Sequence, residues 1–193
     1  IDSNNYIHIL YTKRTENYDE EIYYSSHLLY TNNISGEFSE SVSISNNIDY
    51  IGAARFQFDS NENIHAIFFA DVEFESNFRN IYYTNNSSGN FIVPILAVES
   101  LQSSWNASFE IDNDEFAHIF SIYTTNEGWE LGYWKGDGSG FSYELLVDSD
   151  DSQMANLSST IDNAGLIHVV YRKRNPGGLY YMNNEDGEFL GTT

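Results

Sequence analysis

Ile111-Asp112-Asn113-Asp114-Glu115-Phe116-Ala117-His118-Ile119-Phe120-Ser121-Ile122-Tyr123 is the stretch that decides how this 193-residue chain is read. An apolar residue precedes an aspartate, a polar turn follows, and a histidine six residues after the aspartate opens an apolar run. The same frame recurs at Asp2/His8, Asp59/His65 and Asp162/His168, so four of the five histidines occupy one repeated slot. The aspartates lie 57, 53 and 50 residues apart. A period near 50 carrying several short strands marks a propeller-type repeat architecture.

A second register confirms the first. Leu29-Tyr30-Thr31-Asn32-Asn33 leads to Phe38, Tyr82-Tyr83-Thr84-Asn85-Asn86 to Phe91, Tyr133 to Phe141, and Tyr180-Tyr181-Met182-Asn183-Asn184 to Phe189, with eight residues from Tyr30, Tyr83, Tyr133 or Tyr181 to its phenylalanine. The third copy has lost the Asn-Asn pair and reads Trp134-Lys135-Gly136-Asp137-Gly138 instead.

Local patterning around the third copy predicts four strands, at 107–111, 116–124, 129–134 and 141–147, joined by tight turns. No segment shows sustained helical periodicity, and Pro94 and Pro176 are the only prolines. The expected class is therefore all-β, a β-propeller of four-stranded antiparallel blades in one domain, with repeats at about 1–49, 50–102, 103–152 and 153–193. The innermost strands fall at 52–58, 105–111 and 155–161, and the first copy lacks one. A four-bladed monomer, part of a longer propeller and an edge-paired oligomer all answer to this pattern.

Composition narrows the partners. The chain has 29 acidic and 8 basic residues, a formal net charge of −21, and no cysteine. That sign repels phosphate backbones, so nucleic acid and anionic membranes are not expected partners. No stretch reaches the roughly 18 apolar residues a spanning helix needs, so no membrane insertion is expected. Acidity with abundant Asn, Ser, Thr and Tyr suits an extracellular or cell-surface setting.

The turn Tyr82-Tyr83-Thr84-Asn85-Asn86-Ser87-Ser88-Gly89-Asn90-Phe91 resembles the Asp-box corner, Ser-x-Asp-x-Gly-x-x-Trp, of sialidase-like propeller blades. The Asp-x5-His hairpin looks like the inner hairpin of the same superfamily. The resemblance implies propeller architecture with these turns on the blade periphery. It does not carry sialidase chemistry over, because such sites resemble a three-arginine clamp. Here only Arg55 lies on an expected inner strand, while Arg14, Arg79, Arg172 and Arg174 fall in or beside outward loops.

The remaining candidates follow from faces and from departures. A histidine with a carboxylate partner is a proton-transfer or metal-binding device, but a pair present in every copy reads as a structural hydrogen bond. Four histidines converging on an axis would be needed to hold a metal. The aspartate turns, and the run 148–151, superficially resemble calcium loops, yet Asx turns use the same residues. No cofactor is expected, with a bound cation such as calcium as the one candidate. Strand alternation places Arg55, Asn106, Glu110 and Asn156 on the polar face of the inner strands, where a channel ligand would sit. Trp129 and Trp134 occur in one copy only and, like Trp105, are candidate platforms for a sugar or protein surface. The expected function is a non-catalytic binding or scaffold module for a glycan or protein partner. The alternative is a glycosidase-like or lyase-like enzyme, or a fragment of one.

Overall fold

The structure, a computed structural model, describes residues 1–17, 23–73, 76–149, 153–185 and 187–192, and the side chains of these except 16, 17, 23–25, 103–105, 191 and 192. It is all-β. Among the described residues fourteen strands form three antiparallel sheets. The chain divides into two compact units, Ile1–Ser100 and Leu101–Thr193, each holding two of the repeats.

In the first unit, β1 (His8–Asn17), β2 (Tyr23–Asn32) and the short β3 (Val42–Ser43) form the first repeat. The second repeat is β4 (Ile51–Phe58), β5 (Ile64–Asp71), β6 (Phe78–Asn85) and the start of β7 (Ile95–Ile111). In the second unit, the end of β7 pairs with β8 (Ala117–Thr124), followed by β9 (Trp129–Gly136) and β10 (Phe141–Ser149). The fourth repeat is β11 (Met154–Ile161), β12 (Ile167–Lys173), β13 (Gly178–Asn183) and β14 (Leu190–Thr192).

The four strands expected in the third copy are present, with one correction. β7 is a single strand of 17 residues rather than an outer strand followed by a separate inner one. No glycine or proline interrupts 95–111. The backbone instead bends at Ser100, φ 52°, and its pairing with β8 shifts register between Gln102 and Asn106. β4 and β11, which precede the other aspartates, carry comparable shifts at Ile51/Ala53 and Ala155/Ser158. A bulge bends a strand and tightens its twist, so the strand before each of these aspartates is curved at a defined point.

Each unit has its own core. In the first, Leu28, Ile44 and Ile51 pack with Ala66, Phe68 and Ala70, flanked by Leu10, Tyr30, Phe56 and Tyr82. In the second, Phe120, Ile122, Leu131 and Tyr133 pack with Met154, Ile167, Val169, Tyr171 and Met182. Read by register, one rule covers both. The face of a repeat that carries its histidine lies against the opposite face of the repeat that follows it.

Arg79 also departs from expectation. It is not at an outward loop but buried on β6, where its Nε lies 2.8 Å from Asp71 Oδ1. The directly opposed pair Asp71↔Arg79 brings the two charges onto one face of the hairpin.

Candidate functional site

Each aspartate fastens its own turn. Oδ1 accepts the backbone N–H groups two and four residues later: Asn4 and Tyr6 for Asp2, Asn61 and Asn63 for Asp59, Asp114 and Phe116 for Asp112, Ala164 and Leu166 for Asp162. The turn needs a left-handed backbone at its fourth residue, which is Asn5, Glu62, Glu115 or Gly165, with φ of 64°, 65°, 64° and 83°. Asn and Gly adopt that conformation readily, and the two glutamates are held there by the turn.

The second carboxylate oxygen faces the histidine. Asp Oδ2 lies 3.0, 3.2, 2.9 and 3.2 Å from Nε2 of His8, His65, His118 and His168. A carboxylate only accepts, which places a proton on Nε2. Nδ1 of each ring lies 2.6–2.7 Å from a tyrosine hydroxyl on the neighbouring strand, Tyr30, Tyr83, Tyr133 or Tyr181. In three repeats the asparagine directly opposite the histidine donates Nδ2–H to that oxygen, at 3.0 Å from Asn32, 3.2 Å from Asn85 and 3.0 Å from Asn183. The second asparagine of each pair caps the hairpin, its Oδ1 accepting the N–H of Ile7, Ile64 or Ile167 at 2.6–2.7 Å.

Hydrogen bonding sets the charge of these carboxylates. Burial alone would raise the Asp59 carboxyl, but donation from Asn63 and His65 outweighs it and holds the group below its ordinary value. Asp2 is lowered in the same way against burial, and Asp162 is lowered first by the Leu166 amide and then by His168. Both carboxylate oxygens are thus engaged inside the turn, leaving little of the open oxygen cage that calcium takes. The run at 148–151 lies partly outside the described residues.

The third repeat is the exception. Lys135 stands opposite His118 where the others have asparagine, and its ammonium lies 3.8 Å from Asp112 Oδ2 and 4.6 Å above the Phe116 ring. Tyr133 therefore lacks the amide donor found on Tyr30, Tyr83 and Tyr181. Burial, then the charges of Glu144 and Asp112, push the Tyr133 hydroxyl well above the usual phenol range. Burial likewise lowers His118, with Asp112 opposing it.

These groups line a recess of about 320 Å³ in the second unit. His118, Lys135 and Ser142 lie side by side across β8, β9 and β10, and Tyr133 is opposite Glu144. Asn184, Gly187 and Phe189 of the fourth repeat line it as well, with the Phe189 ring edge-on to Tyr133 at 5.0 Å. Tyr143, between Ser142 and Glu144, turns its ring to the other face of β10, where it packs on Trp134 with its hydroxyl 2.8 Å from that of Tyr123. Lys135, Ser142, Tyr143 and Glu144 were not singled out from sequence. The signal available was the lost Asn-Asn pair.

The sequence-derived candidates distribute differently. Trp134 is 7% exposed and offers no open platform. Its ring lies over Gly132, where a Cβ would come within 2.5 Å of it, and packs beside Tyr123 and Tyr143. Trp129 is half-buried against the core of its unit, and the Trp105 side chain lies outside the described residues. Arg55, Asn106 and Asn156 are exposed. Asn106 follows the β7 register shift, and Asn156, φ 54°, lies within that of β11. Glu110 is half-buried, with Oε1 accepting from Ser159 Oγ at 3.1 Å. Asn106, Glu110 and Asn156 share the second unit, and Arg55 belongs to the first.

No protein-family model matches the chain, and no curated protein matches it. Among solved structures, a protein of unknown function from Dyadobacter fermentans DSM 18053 superposes with a TM-score of 0.67 at 11% identity, covering 98% of this chain and 65% of that one. A polysaccharide lyase of family PL25, an ulvan lyase, superposes with a TM-score of 0.62 at 14% identity, covering 99% of this chain and 56% of that one. The lyase bound to -[GlcA(1-4)Rha3S]- gives 0.62 at 13% identity. The likeness is one of fold. The chain spans about two thirds of the first neighbour's length and little more than half of the lyase's.

Proposed function

We propose that the four repeats are consecutive blades of a β-propeller, the architecture that their sialidase-like resemblance implies, and that the recess of the third repeat binds a glycan outside the cell. The observation that carries this reading is the single departure from a network otherwise built the same way four times. Where three repeats close the tyrosine with an asparagine, the third leaves it open beside an ammonium, a hydroxyl and a carboxylate. Convergent polar groups beside the partly buried Phe189 ring are what a sugar requires, apolar contact for its C–H face and partners for its hydroxyls. The fold shared with a polysaccharide lyase supports a carbohydrate ligand.

Binding is favoured over a glycosidase-like reaction with paired carboxylates, or a lyase-like one on a free imidazole, because Glu144 is the one carboxylate among the described lining residues and the imidazole is already committed. Both ring nitrogens of His118 are engaged within its own hairpin, and the Tyr133 hydroxyl is held protonated by burial and by Glu144. A glycan array followed by titration calorimetry tests the reading. Glu144→Gln and Lys135→Asn should each weaken the best ligand about tenfold or more, equivalent to about 1.4 kcal/mol. Unchanged affinity in both variants would remove the recess from consideration. Release of new reducing ends or of an ultraviolet-absorbing unsaturated product would replace binding with catalysis.

A further inference from the structure

Three of the four network tyrosines receive a second hydrogen bond, and each time it comes from an amide N–H. Asn32, Asn85 and Asn183 donate to Tyr30, Tyr83 and Tyr181 at 3.0–3.2 Å. Tyr133 gives its own proton to His118 Nδ1, because the ring proton sits on Nε2 facing Asp112. Its oxygen therefore keeps an acceptor position that no side chain fills among the described residues. The residue is 8% exposed and lines the recess of the second unit, so that position is aimed into the cavity.

The charges around this acceptor are one-sided. Lys135 is the one cation lining the recess, and its ammonium is already 3.8 Å from Asp112. Glu144, directly opposite Tyr133 on β10, is exposed and has no ion-pair partner among the described residues. After burial, its charge is the next cause that holds the Tyr133 proton in place. The turn of the fourth repeat that borders the recess reads Glu185-Asp186-Gly187-Glu188, where the first and second repeats have Ile34-Ser35-Gly36-Glu37 and Ser87-Ser88-Gly89-Asn90. Asn184, Gly187 and Phe189 of that segment line the recess, and Glu185 and Glu188 between them are exposed. A second break in the repeat thus lies beside the first, and both favour a positive group.

We infer that the recess selects a sugar bearing a free, protonated amine, a hexosamine without its N-acetyl group, whose ammonium donates to the Tyr133 hydroxyl oxygen and to Glu144. The inference rests on the glycan reading above and names the class of sugar. An ammonium carries three N–H donors and no acceptor, so it supplies to Tyr133 what an asparagine supplies in the other three repeats. It also pairs with the carboxylate that nothing else neutralises. A uronate or sulfated sugar brings acceptors to the same place and meets Glu144 as a like charge. The formal net charge of −21 draws cationic ligands toward the chain and repels anionic ones.

Titration calorimetry of the full chain with a β-(1→4)-linked glucosamine tetramer, its fully N-acetylated counterpart and a glucuronate tetramer tests the inference. The glucosamine tetramer should bind about tenfold or more tighter than either, and its advantage should fade as pH rises past the pKa of the sugar amine. Glu144→Gln should abolish the preference, and Glu185→Gln with Glu188→Gln should reduce it about threefold. Glu37→Gln with Glu40→Gln removes the same charge from the first unit and should leave the preference intact, which separates the recess from general attraction to an acidic chain. A preference that survives Glu144→Gln, or that the Glu37 and Glu40 pair abolishes equally, would overturn the inference. An N-acetylated or uronate tetramer that binds as tightly as glucosamine and is weakened by Lys135→Asn would overturn it while leaving a glycan site in place. Failure of every glycan to bind would overturn both readings together.

Discussion

The second and third histidine networks start from the same three groups and end differently. Asp59, His65 and Tyr83 are closed by Asn85, and each of these polar groups is buried and partnered. Asp112, His118 and Tyr133 are closed by nothing comparable. Lys135 leans instead toward Asp112 and Phe116, and the space beside Tyr133 is a recess. One network is finished inside the hairpin, and the other borders a recess. Where the copies agree they make the same internal hydrogen bonds, and where the third departs a recess takes the place of the closing amide.

Removing the carboxylates should give the largest contrast. Asp59→Ala strips a buried His65 N–H and two turn amides of their acceptor and should cost about 3 to 5 kcal/mol of unfolding free energy in urea. Asp112→Ala acts on a more exposed carboxylate with an ammonium nearby and should cost about 2 kcal/mol. Equal losses would mean that the two networks are not different in kind.

Exchanging the closing residues comes next. Asn85→Lys places an ammonium among buried groups and takes the donor from Tyr83, for a loss of about 2 to 3 kcal/mol. Lys135→Asn should change stability by less than about 0.5 kcal/mol while weakening ligand. The asymmetry of this swap, read from denaturant midpoints, measures how far the third repeat has been released from a structural role.

Acid should separate the two networks more subtly. His118 titrates below its ordinary 6.5 when folded, chiefly because it is buried. Between its folded value and 6.5 the unfolded chain therefore holds a proton that the folded chain does not, and stability falls as pH drops through that window. Asp59 is also lowered, so its contribution is complete above 3.8 and is lost only as pH falls through the lower folded value. Stability measured against pH should show both phases, and His118→Gln should remove the upper one. An upper phase that survives this variant would assign the titration elsewhere.

The all-β class and the repeat spacing were legible because an aspartate turn and a histidine-bearing strand are local. Seven consecutive residues carry both the Asx turn and the imidazole, and a spacing of eight connects the tyrosine to its phenylalanine. The alternation of β4 and β11 was also legible, since a period of two needs no tertiary knowledge. Trp134 was misplaced for a physical reason. Its burial depends on Gly132 beside it and on Tyr143 across the ladder, neither of which announces itself as a partner. The seventeen-residue length of β7 was missed because a repeat boundary placed at 102/103 divides a strand that is continuous through its bend at Ser100. Lys135 was visible only as a missing asparagine, and its place beside Asp112 required the register of β8 and β9.

The hydrogen bonds that join Asp59, His65, Tyr83 and Asn85 lie within one hairpin pair. A duplicated gene segment of this length consequently arrives with its hydrogen bonds already made. What it adds on meeting a neighbour is apolar packing and a few bonds such as Asn4 to Glu62 or Ser159 to Glu110, a less exacting demand than matching a whole set of donors and acceptors across a new seam. Lineages built on such a segment can change the number of copies without rebuilding any of them, and a single copy is then free to drift toward a new ligand.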